Sequence, residues 1–183
     1  MTAVAPWGEN AEDAFDQGLV ELGLGDVRMI QAQGASPLAA AWQGDGVLRP
    51  MVAKTIATAI KIGDPISFPK SVRGLKATGG TVITVTDEEI LLAKAFVDGA
   101  GIGAEPASCA TVAGVKKLVE SGVIAPSDDV VGILTGHVLK DPEVVVDYHM
   151  KGQVDGMKAT RSNPPIKAQA DLVAIKAALA SNT

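Results

Sequence analysis

An α/β fold, a mostly parallel sheet with helices on both faces, is what this chain predicts, and three observations predict it. Short β-branched runs alternate with capped helical stretches, the order that strand–helix–strand crossovers produce. Apolar residues make up 47% of the composition while aromatics make up 3%, which suits a parallel core filled by small branched side chains. At 183 residues the chain is long enough for one sizeable core and short for two complete domains.

Element by element, residues 1–25 are acidic and rich in glycine and alanine, with a helix expected from about Asn10 to Leu22. Val27-Arg28-Met29-Ile30-Gln31 reads as a short buried strand, and Ser36-Pro37 supplies an N-cap and a proline at N1 for a helix to about Trp42. Gly44, Asp45, Gly46 and Pro50 make the next stretch a loop. A helix is expected from Phe68 to Thr78, ended by Gly79-Gly80, and then a strand at Thr81-Val82-Ile83-Thr84-Val85. Thr86 and Glu89 have capping-box spacing ahead of Ile90, Leu91, Ala93, Phe96 and Val97, which form one apolar stripe at helical period.

Ile102 to Ala104 reads as a short strand, and Glu105-Pro106 opens a helix through Val112, Val115, Leu118 and Val119 to Gly122. A further strand is expected over Asp129 to Leu134. Met150 to Asn163 reads as a polar linker, and Pro164-Pro165 leads into a last helix on which Leu172, Ile175 and Leu179 share a face. The domain reading that follows is a divergent segment at 1–25, an α/β domain at 26–149, and a linker with a C-terminal helix at 150–183.

Composition also excludes function classes. The formal charge of −5 is spread along the chain, and no basic cluster is present to neutralise a run of phosphates, so nucleic acid is not an expected partner. The single cysteine, Cys109, precludes an intramolecular disulfide and a multi-cysteine zinc site; it fits a reducing compartment and reads as a small buried hydrophobe. No apolar run approaches the ~20 residues that span a bilayer, and the start lacks the basic and apolar regions of a signal peptide. The expectation is a cytoplasmic protein with no membrane partner.

Chemistry is expected at the carboxyl ends of the strands, where loops and helix N-termini converge. Thr135-Gly136-His137 occupies such a place after the strand expected to end at Leu134. Gly99-Ala100-Gly101-Ile102-Gly103 follows a helix and lacks the spacing of a dinucleotide fingerprint. His137 and His149 lie on different elements without a carboxylate constellation, so no metal is expected.

Three blocks stand in order: Lys54-Thr55-Ile56-Ala57-Thr58-Ala59-Ile60-Lys61-Ile62-Gly63-Asp64-Pro65, then Glu105-Pro106-Ala107-Ser108, then Leu134-Thr135-Gly136-His137-Val138-Leu139-Lys140-Asp141. In this the sequence from about Met29 to Glu143 resembles the C-terminal portion of threonine synthases. The resemblance implies the two-domain, tryptophan-synthase-β-like architecture of fold-type II pyridoxal-phosphate enzymes, of which this chain is part. It implies pyridoxal 5′-phosphate as cofactor and the conversion of O-phosphohomoserine and water to threonine and phosphate. Thr135 corresponds to the residue whose hydroxyl faces the cofactor's ring nitrogen, and Ala59, Ile60 and Glu105 fall on the site wall. Two departures stand out: Val138 replaces a usual glycine, and Lys61 replaces a commoner arginine.

The family's Schiff-base lysine sits in a Phe-Lys-Asp-Arg context that is absent here, so no residue of this chain is assigned a catalytic role. Lys140-Asp141 belongs to the third block and is a decoy. Gly8-Glu9-Asn10-Ala11-Glu12 stands near the place of the family's phosphate loop, but its two carboxylates repel a phosphate dianion. The expectation is an enzyme part that does not turn over alone and works with a complementary N-terminal chain, or as a homo-oligomer. The alternative is a stand-alone α/β binding module without catalysis.

Overall fold

The computed structural model describes residues 26–181, so the helix expected at 10–22 and the Gly8 to Glu12 segment lie outside the described residues. A mixed run, Arg28–Ala32, and a β-branched one, Thr81–Val85, form the parallel sheet. Strands β1 (Arg28–Ala32) and β2 (Thr81–Val85) pair in parallel, with Ile30 opposite Ile83 and Ala32 opposite Val85. Alternation at period two sends Met29 and Val82 to one face and Ile30, Ala32 and Val85 to the other.

Helices cover both faces. Between the strands run α1 (Pro37–Gln43) and α2 (Phe68–Ala77), whose Leu38, Ala39 and Leu75 pack on Val82. After β2 come α3 (Asp87–Gly99) and α4 (Pro106–Glu120), which close the larger core with Ile90, Leu91, Ala93, Val97, Cys109, Ala110 and Ala113. Each fully buried Leu or Ile there contributes about 1.5–3 kcal/mol of transfer free energy. Gly114 lets α4 lie close on the sheet, since a Cβ there would stand 2.4 Å from Ile30 Cδ1. The α3 capping box forms as its spacing predicts, with Thr86 Oγ1 accepting from the Glu89 N–H and Glu89 accepting from the Thr86 N–H.

Several expectations are corrected. Residues 129–134 form no strand, and Val131 and Ile133 are 83% and 69% exposed. Among the described residues β1 and β2 pair only with each other, and an apolar run without a ladder neighbour has nothing to satisfy its backbone. Ile102 to Ala104 contributes only a single antiparallel bridge, Ala104 to His137. Ser36 makes no cap bond because its hydroxyl donates to the Gln33 carbonyl instead. Phe96 leaves the buried stripe and lies under the Arg161 guanidinium, 4.0 Å from the ring centroid.

Beyond the third block the chain adds helix α5 (Pro142–Met150) and a hairpin of β3 (Gln153–Val154) and β4 (Met157–Lys158). The hairpin stands where a polar linker was expected, and Asp155 and Gly156, both at positive φ, make its two-residue turn. Tyr148 Oη accepts from the Thr160 and Arg161 N–H groups, and His149 Nδ1 accepts from the Asn163 N–H at 2.8 Å. Helix α6 (Leu172–Ala180) buries no residue. No helix among the described residues is long and apolar enough to cross a membrane.

Candidate cofactor-facing site

The first block runs beside the carboxyl ends of the strands. The Lys54 N–H donates to the Gly34 carbonyl just past β1. Asp87, just past β2, receives the Thr55 hydroxyl on one carboxylate oxygen and the Ile56 N–H on the other. Thr55, Ile56 and Ala57 are thereby buried, and the chain turns outward through a 3-10 turn at Thr58–Ile60. Ala59 is exposed there, Ile60 packs against the larger core, and Lys54 and Lys61 point to solvent.

The second and third blocks meet at the start of α4. The Glu105 N–H donates to the Gly136 carbonyl at 3.0 Å, and the Gly136 N–H donates to Ser108 Oγ at 2.9 Å. The Val138 N–H donates to the Gly103 carbonyl, so Val138 packs against Gly103, where a Cβ would come within 2.9 Å of its Cγ1. Gly136 lies so close to Glu105 that a Cβ would stand 1.8 Å from Oε1. A side chain at 136 would have to displace the Glu105 carboxylate.

Glu105 is 1% exposed, and its Oε2 has no hydrogen-bond partner. Lys140 Nζ, itself largely exposed, stands 3.5 Å from Oε1 and 3.5 Å from Oε2, an ion pair at the outer limit of a useful hydrogen bond. Asp141 then ties the third block to the first by accepting the Thr58 hydroxyl at 2.8 and 3.0 Å. Thr135, one residue before the cradle glycine, is exposed, and its hydroxyl is left without a partner among the described residues.

The three ordered blocks are thus neighbours in space, although 83 residues separate Thr58 from Asp141. Thr135 and Glu105 come together at the Gly136 turn, and Ile60 and Ala59 approach through the Thr58 link. Sequence reading missed two contributors. Lys140, set aside as a decoy, supplies the charge beside Glu105, and Ser108 holds the Gly136 amide. Nothing in local spacing signals the Thr58–Asp141 link or the contact of Gly136 with Glu105.

The family comparison matches residues 17–136 to the pyridoxal-phosphate dependent enzymes. The chain belongs to this family. Among relatives, it is 48% identical over 121 residues to a threonine synthase of Methanosarcina acetivorans, covering 64% of this chain and 30% of that protein. It is 38% identical over 150 residues to a threonine synthase of Methanocaldococcus jannaschii, covering 80% of this chain and 34% of that protein. It is 36% identical over 157 residues to threonine synthase 2, chloroplastic, of Arabidopsis thaliana, covering 82% and 30%. The chain therefore spans about a third of the length of the curated relatives it matches.

The donor set fits part of the family's cofactor, pyridoxal phosphate. The exposed Thr135 hydroxyl, without a partner among the described residues, suits a ring nitrogen, whereas the Glu105 carboxylate is buried against Gly136 and paired with Lys140 at 3.5 Å. An anion is less well served. The N-terminus of α4, where backbone N–H groups ordinarily attract phosphate, carries the Glu105 carboxylate, and Ser108 is paired with Gly136.

Lys94 is the one buried lysine among the described residues, and it is held away from this chemistry. Its Nζ donates to the Ala104 carbonyl at 2.8 Å and to Asp98 at 3.1 Å, while the other Asp98 oxygen meets His149 Nε2 at 3.1 Å. A lysine tied down by two acceptors inside a packed core is a structural cation. A shallow groove of about 70 Å³ between α3 and α4, lined by Glu89, Ala93, Phe96, Val112 and Lys116 among others, uses no residue of the three blocks.

Proposed function

We propose that this chain is the C-terminal, ring-facing part of a threonine synthase, serving the conversion of O-phosphohomoserine and water to threonine and phosphate. The observation that carries the reading is the meeting of the three blocks at the Gly136–Glu105 cradle. Pyridoxal phosphate, when bound, supplies an electron sink for carbanion chemistry at the substrate.

The chain's own residues have distinct tasks in this reading. Thr135 offers its hydroxyl to the ring nitrogen, a neutral partner that leaves the ring a more moderate electron sink than an aspartate would. Gly136 and Ser108 fix the turn that presents Thr135. Ala59 and Ile60 form the wall across from it, and the Thr58–Asp141 bonds hold that wall in register. Each device orients; none moves a proton between substrate carbons. That work belongs to a lysine outside this chain, so the chain is inactive alone and needs a complementary N-terminal chain carrying the lysine and phosphate loop.

The test is reconstitution. Mixed with the N-terminal two-thirds of a threonine synthase, the chain is expected to restore phosphate release from O-phosphohomoserine, and Thr135→Val in the mixture is expected to lower kcat about 10–100-fold. Release by the chain alone, or full activity with Thr135→Val, counts against the reading.

A further inference from the structure

We propose that His149 is the latch of a pH-sensitive strap: with its Nδ1 unprotonated it holds residues 159–163 closed against α5, and a proton taken up at that atom releases them. The latch is independent of the function proposed above.

Both ring nitrogens are committed, in opposite senses. His149 is 4% exposed near the end of α5. The Asn163 N–H donates to Nδ1 at 2.8 Å, so that nitrogen carries a lone pair, and the ring proton sits on Nε2, 3.1 Å from Asp98 Oδ2. A backbone N–H and a protonated Nδ1 cannot share so short a separation, because both are donors. The Asp98 bond behaves differently, since Nε2 donates to it from the neutral ring and from the cation alike. Protonation therefore leaves the ring on α3 and expels the strap.

The strap's other ties do not respond to acid. The Ala159 N–H donates to the Gly152 carbonyl at 2.8 Å, the Thr160 and Arg161 N–H groups to Tyr148 Oη at 3.3 and 3.4 Å, and the Ser162 hydroxyl to the His149 carbonyl at 3.4 Å. The Arg161 guanidinium covers Phe96. Around the ring, Asp98 and Lys94 of α3 are joined at 3.1 Å, and both charges act on Cys109 of α4, which burial keeps as a neutral thiol. On α5 itself the Tyr148 ring meets His149 edge-on, and Asp147 pairs with Lys151 at the surface. Lys94 thus balances Asp98 while the ring is neutral, and a proton on the ring makes the buried cluster cationic. Opening the strap lets water reach that charge. The opened state binds one proton more than the closed one, so its population rises as pH falls and the closed strap is favoured as pH rises.

The test uses the full chain. The tautomer of His149 is read from its ring ¹⁵N resonances at pH 8. Opening is read from hydrogen exchange of the Asn163 amide, corrected for the intrinsic rate at each pH and compared with the Ala113 amide inside the core. The proton is expected on Nε2. Asn163 protection is expected to stay level from about pH 8 to 7 and to fall about tenfold per pH unit below about 6.5, the ordinary histidine value, which applies to the opened strap. Ala113 protection is expected to stay level throughout. His149→Gln keeps a polar side chain that does not titrate, and is expected to make Asn163 protection independent of pH.

Four results overturn the proposal: a ring protonated on Nδ1 at pH 8, Asn163 protection that stays level down to about pH 5, the same fall in His149→Gln, or an equal fall at Ala113, which is acid unfolding of the whole domain. If His149→Gln does not fold, the wild-type ring decides. A ring that becomes protonated while the Asn163 amide stays protected overturns the latch, and protection that falls before or with ring protonation sustains it.

Discussion

At Gly136 a hydrogen in place of a side chain lets the third block close on α4, and the clearance to Glu105 Oε1 leaves no room for a methyl group. Gly136→Ala is expected to destabilise the fold by about 1–3 kcal/mol, read as a lower urea midpoint, because the Glu105 side chain must swing out of its buried position to admit the methyl group. A midpoint unchanged from wild type contradicts this packing. Cys109 offers an independent probe of the same core. Burial pushes its thiol up to about 11 from an ordinary value of 9.0, so the neutral thiol prevails at pH 8 and the nucleophilic thiolate is scarce. Iodoacetamide is expected to label Cys109 slowly in the native chain at pH 8 and rapidly in urea. A thiol raised in the folded state favours folding below its unfolded value, and that contribution is lost as pH climbs from 9 toward about 11. Fast native labelling at pH 8 would place the thiol outside the core.

At the scale of elements, legibility followed the range of the interactions. The capping box at Thr86 and Glu89, proline at the start of α1, α2 and α4, and the strands at 28–32 and 81–85 are encoded within a few residues, and each was readable. The Asp155-Gly156 hairpin was equally local and its turn dipeptide was overlooked. Residues 129–134 could not be judged from their own composition, because a strand exists only where a neighbour offers a ladder. Site residues followed the same division. The three blocks were recognisable by motif, whereas the Thr58–Asp141 link and the charge that Lys140 brings to Glu105 depend on the folded path. Helix α6 shares an apolar face as its pattern predicts but buries none of it. Removing residues 172–183 is accordingly expected to change unfolding free energy by less than about 0.5 kcal/mol in the isolated chain. A loss above about 1 kcal/mol would mean that the helix packs in solution.

Considered whole, the molecule joins a two-stranded parallel sheet, helices on both its faces and a packed extension through α5 and the hairpin to Asn163. It spans about a third of the length of its curated relatives, and Val131, Ile133 and Leu139, in and beside the third block, face solvent. The proposed division of labour is that this chain offers the Thr135 hydroxyl to the cofactor's ring while the amine that bonds the cofactor comes from the N-terminal part of the enzyme. Borohydride trapping tests it most directly. Incubated with pyridoxal phosphate and reduced, the chain alone is predicted to show only scattered, substoichiometric labelling of exposed lysines, while the mixture with the N-terminal part of a threonine synthase gives one adduct per complex on the added chain. A stoichiometric adduct on a single lysine of this chain, Lys94 included, would contradict the account.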